Sequence, residues 1–80
     1  MARKVVTKEE LQAWLTDEIR KFEGCEECMF GGVMPLREPD EAGCNWSDSI
    51  VLRATGVPPE IYSPAVAKIM VEARSKFSIA

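Results

Sequence analysis

Apolar residues recur with helical spacing in the first quarter of the chain. Thr7-Lys8-Glu9-Glu10 has the form of a capping box, in which the Thr7 hydroxyl and the Glu10 carboxylate each accept from the other residue's amide. Gly24 suits the left-handed position that follows a helix. The pattern predicts a helix from about Lys8 to Glu23. Its apolar face consists of Leu11, Trp14, Leu15, Ile19 and Phe22.

A second apolar stripe with helical spacing lies near the other end of the sequence. Pro64 suits the first position of a helix, where the missing amide proton costs nothing. The preceding Gly56-Val57-Pro58-Pro59 breaks any strand, because proline lacks an amide donor and restricts the residue before it. We therefore predict a second helix beyond Ser63, preceded by one irregular turn. Its apolar stripe is Val66, Ile69, Met70, Ala73 and Phe77.

The residues between the two helices alternate between apolar and polar. Residues 46–55 place Trp46 and Ile50 on one side and predict a half-buried strand. Residues 30–38 predict its antiparallel partner, which Pro35 restricts to an edge or a bulge. The fold class is thus a single α+β domain over residues 1–80, with the order helix, two-stranded antiparallel hairpin, helix (α-β-β-α).

A two-stranded ribbon is marginally stable by itself, so we expect both helices to cover its Trp46 face. The opposite face carries Val33, Pro35 and Val51 and has no predicted cover. Three candidates could cover this face: a second copy of the chain that extends the sheet, a short N-terminal strand at residues 3–6, or a protein partner. The sequence does not choose among them.

Composition restricts the class of protein. The chain has 80 residues, of which 46% are hydrophobic and 29% charged, as in ordinary folded domains. No apolar run approaches the roughly 20 residues that a membrane-spanning helix needs, and the first residues lack the apolar stretch of a secretory signal. We therefore expect a cytoplasmic protein without membrane association and with reduced thiols.

Negative charge is concentrated in the middle of the sequence. The net charge is −3, and most acidic residues lie in the region 23–48, including Asp40 and Glu41 in the predicted hairpin loop. An acidic region repels phosphate backbones, so nucleic-acid binding is not expected. A cation or a basic protein partner suits this loop better.

Three cysteines in the acidic region resemble an incomplete zinc site. Cys25 and Cys28 form a Cys-x-x-Cys pair, Cys44 would supply a third thiolate, and Asp48 a fourth ligand. The predicted hairpin argues against this arrangement, because about eight residues of strand would separate Cys28 from Cys44 by roughly 26 Å. The hairpin and the three-thiolate site exclude each other.

A redox pair and plain burial are the other interpretations of the cysteines. Cys25 and Cys28 follow a predicted helix C-terminus beside glutamates, an environment that disfavours the reactive thiolate. A reversible disulfide between them is sterically allowed. The simplest interpretation, however, is that the cysteines are small buried side chains. The chain also has no histidine, which removes the usual proton shuttle of enzymes.

The sequence therefore favours a small non-enzymatic module for protein interaction or assembly, without a cofactor. A homodimer formed by pairing of strand edges is its simplest form. The expected contact residues are Val33, Pro35 and Val51 of the ribbon face with Asp40 and Glu41 of the loop. The alternative function is a zinc domain that uses Cys25, Cys28 and Cys44 with a carboxylate such as Asp48.

Overall fold

The computed structural model describes residues 3–41, 43–47 and 50–79, and this part of the chain forms a small α+β fold. Two helices and six short strands follow one another, and the strands pair into three two-stranded sheets. The order is β1 (Lys4–Val6), α1 (Lys8–Arg20), β2 (Met29–Phe30), β3 (Met34–Pro35), β4 (Trp46–Ser47), β5 (Leu52–Arg53), α2 (Pro59–Lys76) and β6 (Phe77–Ile79). The α+β class agrees with the sequence prediction, whereas the simple α-β-β-α order does not describe this chain.

The start of helix α1 is fixed by its capping box. The Glu10 amide donates to the Thr7 hydroxyl at 3.1 Å, and the Thr7 amide donates to the Glu10 carboxylate at 3.0 Å. The helix ends at Arg20, three residues before the predicted end. Gly24 is left-handed, with a φ of 86°, but it belongs to the turn after the helix rather than to its immediate cap. The buried face consists of Leu11, Leu15 and Ile19.

Helix α2 begins five residues earlier than the sequence predicted. Pro59, not Pro64, is its first residue, and the Ile61 amide donates to the Pro58 carbonyl at 3.0 Å. Pro64 lies inside the helix, where it cannot donate to the Glu60 carbonyl. Glu60 and Pro64 are exposed, so water can satisfy that carbonyl. Proline at a first helical position is favourable, and the Pro-Pro pair therefore starts a helix here rather than only ending a strand.

The two predicted strands pair in the antiparallel direction but in two separate pieces. β2 pairs with β5 through Phe30 and Leu52, and β3 pairs with β4 through Pro35 and Trp46. The paired residue numbers add up to 82 in the first piece and to 81 in the second, so the register shifts by one residue between them. Each regular ladder is therefore only two residue pairs long.

A parallel sheet of β1 and β6 joins the two ends of the described chain, with Val6 paired to Ile79. A strand over residues 3–6 was one of the three candidates for covering the ribbon. Strand β6 was not predicted: Phe77 is a strand residue, whereas the sequence placed it at the end of a helical stripe. Asn45 closes the other side of β6, because its amide group both donates to the Ile79 carbonyl and accepts from the Ile79 amide at 2.8 Å.

Arg3 caps the C-terminal end of α2. Its guanidinium donates to the carbonyls of Arg74 and Phe77 and, at 2.9 Å, to the Ser78 hydroxyl. The last carbonyls of a helix have no partner within the helix and carry partial negative charge, so a cation stabilises them.

One hydrophobic core lies between α1, the ribbon, β6 and one face of α2. Its largest fully buried side chains are Trp46, Phe30, Leu11, Leu15 and Ile19. The Trp46 indole donates to the Phe77 carbonyl at 3.0 Å, which satisfies its buried N–H group. Neither of the described helices is long and apolar enough to cross a membrane.

Candidate functional site

All three cysteines belong to the hydrophobic core. Cys25, Cys28 and Cys44 are free thiols with 0% exposure. Cys25 and Cys28 span a tight turn in which the Cys28 amide donates to the Cys25 carbonyl at 3.0 Å. The Cys44 thiol instead donates to the Trp46 carbonyl, with a distance of 3.5 Å from Sγ to oxygen. The thiols therefore fill space within the core, which agrees with burial as the simplest interpretation of the sequence.

The environment of Cys28 keeps its thiol protonated. Burial raises the pKa of this thiol above its ordinary value, and the neighbouring Cys25 and Glu26 raise the pKa further. The thiolate is the form that binds metals and attacks disulfides. Cys28 is thus held in the unreactive thiol form.

The described residues bring together no group of three or more cysteines, aspartates and glutamates that could hold a metal ion. Cys28 directly precedes β2 at one end of the ribbon, whereas Cys44 lies in the loop that precedes β4 at the other end. Asp48, the fourth ligand of the zinc alternative, lies outside the described residues.

The predicted contact residues do not form one open surface. Val33 is 6% exposed and belongs to the core, so its assignment to an uncovered face was wrong. Phe30 and Val33 are both buried although three positions separate them, so the strict alternation predicted for residues 30–38 is broken between β2 and β3. Pro35, Val51 and Glu41 are exposed, and Val51 is 72% exposed.

Asp40 has a structural role in holding the loop on α2. One of its carboxylate oxygens accepts from the Cys44 amide at 3.0 Å, and the other pairs with the Arg74 guanidinium. Arg74 also donates to the Trp46 carbonyl at 2.9 Å and lies 5.6 Å from the centre of the Trp46 ring. The charge of Asp40 is therefore compensated from within the molecule, and this part of the acidic loop is less available to a basic partner than the sequence suggested.

An apolar groove runs along α2 beside β5. This α2 groove has a volume of about 570 Å³, and Ser63 and Arg74 lie toward its two ends. Its walls are Leu52, Tyr62, Val66, Ala67, Met70 and Val71. The groove is open to solvent, and its lining is mostly apolar.

The α2 groove exposes one large apolar side chain that the core does not use, Val71, whereas its other large apolar residues lie in the core or pack against it. Val71 is 74% exposed, and Ser63 and Ala67 are also exposed, at intervals of four residues. The buried side of the helix consists of Ala65, Ile69, Met70 and Ala73. Helix α2 thus has one apolar side in the core and a second facing solvent.

Sequence reasoning missed this second side. It assigned Val66 and Met70 to a core-facing stripe, which is correct because Met70 is buried and Val66 packs against the core, but it did not foresee that both also border a groove. The signal that could have found the groove is Ser63, Ala67 and Val71, a run of small and apolar residues with helical spacing outside the core stripe.

No family model matches the chain, and searches of curated proteins and of solved structures found no similar protein. The α2 groove is therefore interpreted from its own geometry and chemistry.

Proposed function

We propose that this protein acts by protein association rather than by catalysis, and that the α2 groove receives an amphipathic helix of its partner. The observation that carries the proposal is the open apolar side of α2, with Val71 exposed to 74%. Burial of such a surface is favourable at roughly 25 cal/mol per Å² of apolar area, and a soluble domain gains nothing from leaving it in water.

The shape of the groove suits a helix. Ser63 and Ala67 are small, so a partner backbone can approach α2 closely at these positions. Larger side chains, Tyr62 and Leu52, form a wall on one side. A partner helix would lie along α2 with its apolar residues between Val71 and this wall.

Charged residues near the two ends of α2 indicate which charges the partner helix should carry. Glu60 is exposed in the first turn of α2, and Arg74 lies in the last turn. A matching helix carries an apolar stripe with a basic residue opposite Glu60 and an acidic residue opposite Arg74. The predicted ribbon face supports association less well, because Val33 is buried.

Thiol labelling in the cells that naturally produce the protein tests whether the groove is covered there. Ala67→Cys places a thiol in the groove, and Ala13→Cys places one on the exposed side of α1 as a matched control. The native cysteines are fully buried and give a low background. With a membrane-permeable maleimide, we expect position 67 to react several-fold more slowly than position 13 in cells and equally fast after lysis and dilution. Equal rates in the cells would contradict the proposal.

A further inference from the structure

We infer that the helix bound in the α2 groove is α2 of a second copy of this chain, packed antiparallel about a two-fold axis that passes beside Ala67. This inference rests on the proposed function, because it names the occupant of the same groove. It comes from the arrangement of charge along α2.

Three positions with a spacing of seven residues carry the argument. Glu60, Ala67 and Arg74 lie on one stripe of the helix, because seven residues make almost two full turns. At 1.5 Å per residue, the acidic and the basic position each lie about 10.5 Å from Ala67 along the helix axis, in opposite directions. The stripe is negative at one end, neutral and small at its centre, and positive at the other end.

Such a stripe is complementary to its own reversed copy. With the two-fold axis at Ala67, Glu60 of each copy lies opposite Arg74 of the other, and the symmetry forms this pair twice. Ser63 of each copy lies opposite Val71 of the other, so a small side chain faces a larger one. A parallel arrangement would instead place Glu60 opposite Glu60 and Arg74 opposite Arg74, which repel. Charge therefore selects the antiparallel pair.

Arg74 is already held in place for this contact. Its guanidinium donates to the Trp46 carbonyl and to the Asp40 carboxylate and lies beside the Trp46 ring. A side chain that is ordered before binding loses less conformational entropy when the partner arrives. The guanidinium would also lie between Asp40 and the incoming Glu60, where it compensates both carboxylates.

Cysteine cross-linking with the full chain tests the register directly. Under mild oxidation, Ala67→Cys should form a disulfide-linked dimer with itself, because position 67 lies at the axis. Ser63→Cys and Val71→Cys should cross-link efficiently when the two variants are mixed, with one of them tagged, and several-fold less when each is alone. Ala13→Cys is the control for random collision.

Association in solution gives an independent measurement. We expect the mass by light scattering to rise from 8.9 kDa toward twice that value as the protein concentration increases into the range of about 10 µM to about 1 mM. Glu60→Lys should weaken the dimer roughly tenfold, because it replaces two attractive pairs with repulsion of Arg74. Glu9→Lys makes the same change in the first turn of α1 and should leave the dimer unchanged.

Two outcomes would overturn the inference. Efficient cross-linking of Ser63→Cys alone and of Val71→Cys alone would show a parallel pair. A mass of 8.9 kDa at every concentration, without a cross-link at position 67, would exclude the second copy as occupant. If position 67 were nevertheless protected in the producing cells, association through the groove would stand with a different helix as partner.

Discussion

The two helices differ in how much of their apolar surface the fold uses. Helix α1 has 13 residues, buries Leu11, Leu15 and Ile19 and starts at a complete capping box. Helix α2 has 18 residues, has no side-chain cap at its start and contains an internal proline. Its end is capped from a distance by Arg3, and one of its sides is apolar but open. The first helix packs with one face in the core, and the second also leaves a largely apolar side open to solvent.

The difference lies in the residues on the side of each helix that faces away from the core. A helix that serves only the core needs one apolar face and is polar elsewhere, as α1 is. Residues such as Val71 add nothing to the core and expose apolar surface to water. Substitutions in matched positions of the two helices can therefore separate stability from association.

The largest expected effect concerns the core face of α1. Leu15 is 0% exposed, and Leu15→Ala should lower the free energy of unfolding by about 3 kcal/mol through lost burial and a residual cavity. Val71→Ala on the open side of α2 should change it by less than about 0.5 kcal/mol in dilute protein. Urea denaturation followed by circular dichroism measures both. A similar loss for the two variants would mean that the open side of α2 packs against the protein itself.

Removal of the internal proline of α2 should have the next largest effect, and in the stabilising direction. Pro64→Ala restores an amide that can donate to the Glu60 carbonyl, so we expect a gain of about 1–2 kcal/mol, less than the full interior cost of proline because the site is near the helix start. Pro59→Ala is the matched control, since proline is favoured at a first helical position and its removal should give no gain. Thermal unfolding of both variants checks the difference, and equal effects would contradict this account of α2.

Loss of the α1 cap should cost less. Thr7→Ala removes the hydroxyl that accepts from the Glu10 amide, and we expect a loss of about 1 kcal/mol in the free energy of unfolding. Thr7→Ser keeps the hydroxyl and should retain most of this stability. If Thr7→Ala and Thr7→Ser behaved alike, the capping box would not be what stabilises the start of α1.

The smallest expected effect is a dependence on acidic pH at the same cap. Hydrogen bonds from the Thr7 backbone and side chain lower the pKa of Glu10 below its ordinary value of 4.5. A carboxyl with a lowered pKa in the folded state stabilises the protein above about pH 4.5, and this contribution is lost as pH falls through the lowered pKa. The difference in free energy of unfolding between the native protein and Glu10→Gln should therefore shrink in acid. The difference between the native protein and Glu9→Gln should not shrink in this way. Chemical denaturation at several pH values from about 3 to about 7 measures it.

Local chemistry explains what could be predicted from the sequence. The start of α1 follows from four consecutive residues, Thr7 to Glu10, and the antiparallel direction of the ribbon follows from the short connection between the two predicted strands. The start of α2 was misplaced because Pro58-Pro59 is compatible both with the end of a strand and with the first position of a helix. Only packing of the following turn decides between the two.

Contacts between distant residues explain what could not be predicted. Nothing near Phe77 indicates a strand, since its pairing partner is Lys4 at the other end of the chain. The burial of Val33 breaks the alternation predicted for residues 30–38, because this segment is interrupted between β2 and β3, and no local pattern indicates that interruption. The α2 groove likewise exists only because β5 lies beside α2 and leaves one side of the helix open.

The parallel pairing of β1 with β6 has a consequence for the speed and order of folding. Lys4 pairs with Phe77, 73 positions later, so the sheet forms only after nearly the whole described chain has closed into a loop. Contacts of such long sequence separation slow folding, and they form late in most small domains. During synthesis, α1 can form as soon as it leaves the ribosome, whereas β1 must wait for residues 77–79 to emerge. Mutations in β1 and β6 should therefore accelerate unfolding and leave the folding rate almost unchanged.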